Sequence, residues 1–207
     1  MLKSGLLSGR KMIAKIILFL FLAIAICIMA AWYLVPKFLE QPAYRVVQKE
    51  DRIELRDYEP MLLQSVKVSG QQNDALRKGF RPLINYIGAK SREGDKISMT
   101  APVMQSFGDN ENAWSVSFSM PIKYKISDLP TPNNERIYTE EIPAFRAAVI
   151  RFSGRANMSL LIYKTKELSY WIESSGLSAR SQPRYLFYND PSTPPFMRRN
   201  EVLIEIH

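Results

Sequence analysis

Asp57 and Glu141 occupy the same place in two stretches of chain that align without a gap. Residues 51–70 read DRIELRDYEPMLLQSVKVSG and residues 135–154 read ERIYTEEIPAFRAAVIRFSG, an offset of 84 positions (135 − 51). Arg52, Ile53, Ser69 and Gly70 recur as Arg136, Ile137, Ser153 and Gly154, while Val66 against Ile150 and Lys67 against Arg151 keep the chemistry. A carboxylate can act as a general acid or base, or join a metal site, when a second group is aimed at the same point. Such second groups are scarce here. The sole histidine is His207 and the sole cysteine is Cys27, which lies in an apolar run, so Ser-His-Asp and Cys-His nucleophile arrangements lack their members. No HExxH, CxxC or His-Cys metal spacing occurs, and no GxGxxG or phosphate loop. Thr139-Glu140-Glu141 offers adjacent carboxylates, but neighbours on a strand point to opposite faces, which reads as solvated acids. The residue types point to binding rather than to catalysis or a metal centre.

The elements that must position these residues are legible from periodicity. YRVVQ, RIELRDY and MLLQSVKV are rich in β-branched and aromatic residues and are bounded by the turn formers Glu59-Pro60 and Ser69-Gly70, which predicts strands. Asn73 is the expected N-cap of a helix in which Leu76, Phe80, Leu83, Ile84 and Ile87 recur at helical spacing until Gly88, with a kink expected at Pro82. Strands are expected over KISMTAPVM and WSVSFSMP. In the second, Trp114, Val116, Phe118 and Met120 alternate with Ser115, Ser117 and Ser119, which predicts one buried and one polar face. After the Pro-rich connector LPTPNN, the same order returns: strand AFRAAVIRF, a helix from about Asn157 to Ser175, and strands RYLFY and EVLIEI. The expectation is an α+β domain of two βαββ-like pseudo-repeats, about 44–121 and 135–207, with antiparallel strands around a shared core and two helices outside.

A segment of another kind precedes this domain. Residues 16–35, IILFLFLAIAICIMAAWYLV, carry no charge and are long enough to cross a bilayer core of about 30 Å. A cleaved secretory signal has a shorter apolar stretch of about 7 to 15 residues and ends in a small-x-small site, so an uncleaved transmembrane anchor is expected. Lys3, Arg10, Lys11 and Lys15 precede the run without an acid, whereas Lys37 and Glu40 cancel after it, and the positive-inside bias then keeps the basic flank 1–15 cytoplasmic. A linker is expected over 36–43 and a domain over 44–207 on the far side of the membrane, periplasmic in a bacterium. Of the net charge of +8, those four cations supply half; the 28 basic residues less those four leave 24 against 20 acidic ones. A domain so mildly basic is not expected to bind nucleic acid.

The stretch GFRPLINYIGAK followed by SREGDKISMTAPVM, with YRVVQKEDRIELRDY upstream and YNDPSTPPFMRRNEVLIEI downstream, resembles the SOUL haem-binding protein family. Its most specific part is Lys96 to Val103, KISMTAPV, close to the family's KIxMTAPV segment. The resemblance implies a distorted β-barrel of two βαββ-like halves flanked by two helices, and non-enzymatic binding of haem or another tetrapyrrole in an apolar groove. The fold is also similar to that of GyrI-like effector-binding domains, which hold varied small molecules and include some hydrolases.

The chain departs from part of that family at Asp57, where some members place a histidine proposed as an axial iron ligand. Carboxylate is a poor substitute, since haem proteins rely on His, Cys, Met or Tyr. The residues left to hold iron are Tyr58, Met99 and Met104; as strand and core residues they have ordinary packing roles. A groove that buries the porphyrin face and pairs its propionates with cations needs no iron ligand, and Arg56, Lys67 and Arg81 are the expected partners. The competing expectation is an envelope module whose groove holds a lipid, peptide or protein partner; a GyrI-like hydrolase ranks third.

Overall fold

The computed structural model describes residues 2–108 and 112–207. Helix α1 (Leu2–Phe38) contains the apolar window Lys15–Leu34, of mean hydropathy 2.7, long and apolar enough to cross a membrane. It continues through the basic flank and past Pro36, so helix rather than linker occupies 36–38. Residues 1–38 and 39–207 form separate compact units.

The second unit is built on one antiparallel sheet. Its strands are β1 (Tyr44–Glu50), β2 (Ile53–Tyr58), β3 (Met61–Ser69), β4 (Val103–Phe107), β5 (Ala113–Ser119), β6 (Ile137–Ile142), β7 (Phe145–Phe152), β8 (Arg184–Phe187) and β9 (Asn200–Glu205), with α2 (Gln72–Ile87) after β3 and α3 (Met158–Ser174) after β7. They hydrogen-bond in the order β1-β2-β7-β9-β8-β4-β5-β3-β6. The expected barrel is corrected by that order: β1 and β6 are its two ends and the sheet does not close. Both ends carry features that keep an edge from pairing further, a register shift between Val46 and Gln48 in β1 and the carboxylates Glu140 and Glu141 in β6. Pairings β2–β7 and β3–β6 cross between the early and the late strands, and β4–β8 joins the two at the middle.

Both helices of this unit cover the same face. On α3, Leu161, Leu168, Trp171 and Ile172 pack on Leu55, Ala148, Ile150, Val202 and Ile204. On α2, Leu83, Tyr86 and Ile87 pack on Val66, Val116 and Phe118. The alternate residues of the same strands, Tyr58, Leu63, Met104, Ala147, Val149, Leu186 and Leu203, form a cluster on the other face. Ser117 and Ser119 are buried, contrary to the one-sided pattern expected of β5, because their face is covered too: Ser117 pairs with Met104 and Ser65 and Ser119 with Leu63 on the face that holds the second cluster, and the Ser65 and Ser117 hydroxyls meet at 2.7 Å.

Local details depart from the sequence reading at three places. Helix α2 starts at Gln72 with Gln71 as its cap residue, not Asn73, and makes no side-chain cap bond. It runs unbroken through Pro82. Residues 96–102 of KISMTAPVM are not strand: Ile97 N–H donates to the Ile87 carbonyl and Ala101 N–H to that of Glu40, and Pro102 has no N–H to give to a ladder. At α3 the expected boundaries hold, with the Asn157 side chain accepting from Leu160 N–H at 3.0 Å.

Candidate functional site

Successive residues of β2 go to opposite faces, and this separates the candidates Arg56, Asp57 and Tyr58. Arg56 points into the helix-free face and is 2% exposed. Its guanidinium donates to both carboxylate oxygens of Glu201, at 2.9 and 3.2 Å, to Glu54 at 2.9 Å and to the Tyr58 hydroxyl at 3.0 Å, and it lies 4.3 Å from the centre of the Tyr44 ring. Glu201 is fully buried and also accepts from Arg199 and the Tyr188 hydroxyl, each at 2.9 Å. Burial pushes the Glu201 carboxyl up, but the two guanidinium groups overcome this and hold it below the usual carboxylate range. With Nη2 also 2.7 Å from the Glu54 carboxylate, all five guanidinium hydrogens are engaged and none is left for a propionate. Arg56 belongs to the interior.

Asp57 lies on the other face, in register between Arg45 of β1 and Arg146 of β7. Arg146 donates to it at 2.6 and 3.1 Å and Arg45 at 2.9 Å, and these two guanidinium groups lower its carboxyl to about 2. Its lone pairs are taken by cations. Tyr58 is stacked on Phe145 at 4.9 Å, and burial raises its phenol well above the ordinary value, which disfavours a tyrosinate ligand. Met104 is 3% exposed in the helix-free cluster, whereas Met99 is half exposed on the segment before β4. Lys67 is exposed on β3, turned to the face opposite Val66 and Val68 and close to Tyr138. The structure therefore does not assemble the seven candidates into one site.

One of them, Arg81, lies in a groove. Its floor is Val68 and Ser69 at the end of β3, above the fully buried Val66; one wall is Arg77, Lys78, Arg81, Pro82 and Asn85 of α2, and the other is Asn134 and Arg136 at the approach to β6; the volume is about 620 Å³. Positions 77, 78, 81, 82 and 85 fall on one stripe of a helix. Arg77 is paired to Asp74 at 2.9 Å and Lys78 reaches the Ser69 carbonyl at 3.5 Å, while among the described residues Arg81 and Arg136 have no ion pair. Behind the wall, Arg92 donates to the carbonyls of Tyr86, Glu93 and Asp95 and fixes the loop that leaves α2. This groove joins the apolar Val68 and Pro82 to four cations, and among the described residues that line it there is no His, Cys, Met or Tyr. Its residues fit a flat apolar molecule with carboxylates, such as a porphyrin, and do not fit ligation of its iron. Arg77, Lys78 and Arg136 were missed from sequence; Arg136 was visible only as one of the repeated identities.

A second groove of about 520 Å³ lies at the other end of β3, lined by Pro42, Met61, Leu62, Met120, Ile122 and Ile126 with Glu40, Glu141, Lys125, Thr100 and Ser119. The Ser119 hydroxyl is buried and, among the described residues, has no hydrogen-bond partner.

Comparison with known proteins adds three findings. Residues 39–205 match the family model described as SOUL heme-binding protein. Heme-binding protein 1 of Bos taurus is 28% identical over 137 residues, covering 63% of this chain and 70% of that protein. Among solved structures, the EcmrR C-terminal domain superposes with a TM-score of 0.56 at 15% identity, over 79% of this chain and 98% of that one, and a hydrolase from Listeria innocua with 0.55 at 12%, over 78% and 94%; at such identities the likeness is one of fold.

Proposed function

The chain belongs to the SOUL heme-binding protein family, and from that premise we propose that it binds haem or a related tetrapyrrole in the cationic groove along α2, without catalysing a reaction. The observation that carries this reading is the pairing of the partly exposed Val68 and Pro82 with Arg81 and Arg136 in one groove. The porphyrin face lies on the apolar residues and the propionates meet the two arginines, with Arg77 and Lys78 adding to the positive field. The iron takes no axial ligand from the candidates Asp57, Tyr58, Met99 and Met104, nor from His207. Arg56 and Lys67 play no part in holding the ligand.

The proposal extends to the architecture. Residues 16–35 act as a single-pass anchor with the basic flank 1–15 in the cytoplasm, and the domain 44–207 presents its groove on the far side of the membrane. The orders β2-β3-α2-β4-β5 and β6-β7-α3-β8-β9 are two copies of one unit; exchanging counterparts reverses the sheet order from β2 to β6, which supports this reading.

The test is a titration of the full chain in nanodiscs with three ligands. Haem should give a saturable Soret change, metal-free protoporphyrin should bind within about threefold of haem because no protein group holds the iron, and protoporphyrin dimethyl ester should bind at least about tenfold more weakly because it lacks the carboxylates. Equal binding of the ester would remove the arginines from the reading, and binding of haem alone would restore an iron ligand.

A second reading rests on Ser119. An unpaired buried hydroxyl beside Met61, Leu62 and Met120 suits an amphipathic ligand in the other groove, as an envelope module would hold. Native mass spectrometry of the chain extracted from its own membranes distinguishes the two, by the mass of what is retained.

A further inference from the structure

The segment Pro121–Asp128, which links β5 to the connector before β6, exposes what a folded surface usually covers. Ile122 is 77% exposed and Ile126 53% exposed, and they bracket Lys123 and Lys125, which are also exposed. Two exposed lysines set between two exposed aliphatic side chains match the interface of a bilayer, where the aliphatics enter the acyl boundary and the ammonium groups remain among phosphates.

The segment is also tied to the chain that follows the apolar run. Ile122 N–H donates to the Glu40 carboxylate at 2.5 Å, Ala101 N–H donates to the Glu40 carbonyl at 2.9 Å, and Glu40 forms a bridge with Thr100. Of the acids beside the segment, Glu40 is therefore engaged with Ile122 and Asp128 with the Lys125 N–H at 3.1 Å. Glu40 follows Val35, the last residue of the uncharged run, by five positions (40 − 35). A fully extended chain of that length reaches at most about 18 Å. If the run spans a bilayer, a loop hydrogen-bonded to Glu40 is held within reach of the headgroups.

We propose that the Ile122–Ile126 loop docks on the surface of an anionic membrane, with Ile122 and Ile126 inserted and Lys123 and Lys125 on lipid phosphates. This rests on the anchoring proposed above. Each lysine near an anionic surface strengthens the contact roughly fivefold, and the two isoleucines supply the part that salt does not screen.

The experiment uses the full chain with Cys27→Ser, an environment-sensitive fluorophore on Ile122→Cys, and a control fluorophore on Glu173→Cys, an exposed site on α3. Both are placed in nanodiscs of phosphatidylcholine with or without phosphatidylglycerol, and quenched by lipids spin-labelled in the acyl chain. The expected result is blue-shifted emission and at least about threefold stronger quenching at 122 than at 173, strengthened by phosphatidylglycerol. Lys123→Gln with Lys125→Gln should remove the phosphatidylglycerol dependence while leaving quenching in neutral discs. A chain that inserts but leaves both positions equally unquenched overturns the loop contact and leaves the anchor standing; a chain that fails to enter nanodiscs at all overturns both.

Discussion

Arg56 and Glu201, 145 positions apart, meet through two hydrogen bonds of 2.9 and 3.2 Å inside the second unit, where Arg56 is 2% exposed and Glu201 not exposed at all. Their strands are not neighbours: β7 lies between β2 and β9. The pair therefore ties three strands together from one face.

Removing one member leaves the other charged and buried. Arg56→Met should destabilise the fold by about 3 to 5 kcal/mol, and adding Glu201→Met should recover part of that loss, with a coupling of about 1 to 3 kcal/mol. Urea unfolding of wild type, both single variants and the double variant gives the cycle. Purely additive losses would mean that the two charges do not stabilise each other.

Asp57 gives a pH dependence of known sign. Arg146 and Arg45 hold its carboxyl at about 2, below its ordinary 3.8, so its contribution is present above the ordinary value and is lost as pH falls through the folded one. Asp57→Asn removes that contribution at every pH. The stability gap between wild type and Asp57→Asn should be constant above about pH 5 and should close as the pH approaches 2. A gap that stays constant down to pH 2 would show that the carboxylate is not held by the arginines.

The strands and α3 were legible because their information is local. Asn157 caps α3 through its own side chain, and the alternation in WSVSFSMP marks β5. What failed locally was decided from a distance: Ile97 and Ala101 give their N–H groups to Ile87 and Glu40, so KISMTAP does not extend as a strand. The same holds for the site. Arg81 could be picked as a cation on a helix, but its grouping with Arg136 depends on β3 pairing with β6, which periodicity does not encode. Arg56 and Lys67 looked equivalent to Arg81 in sequence, yet one is enclosed by Glu201 and Glu54 and the other faces away from the groove floor.

Gly79 sets how closely α2 lies on the sheet. A Cβ added there would come 2.5 Å from the Val116 Cβ, a backbone-proximal atom that cannot move aside, so Gly79→Ala should push α2 outward and cost about 1 to 3 kcal/mol. Because α2 carries Arg77, Lys78 and Arg81, the same change should weaken tetrapyrrole binding. Leu168→Ala on α3, with a loss of about 2 to 5 kcal/mol, controls for stability alone and should leave the affinity unchanged in conditions where both variants are folded. Equal affinity losses in the two variants would separate α2 from the ligand.

Asp57→His restores the residue type that some family members place here, and its outcome separates the two ways of holding haem. Position 57 faces Arg45 and Arg146 across adjoining strands and lines neither groove. An imidazole between two guanidinium groups is kept neutral, with its pKa pushed below the ordinary value of about 6.5. Neutral imidazole is the ligating form, so charge does not prevent ligation; only distance from the bound porphyrin does. With haem in the α2 groove, the Soret position and the ferrous spectrum of Asp57→His should match wild type, with affinity changed by less than about twofold. A sharpened, shifted Soret band with visible bands of a six-coordinate low-spin iron would place the porphyrin at the Arg45–Asp57–Arg146 end of the sheet instead, and Arg81→Glu would then leave binding intact.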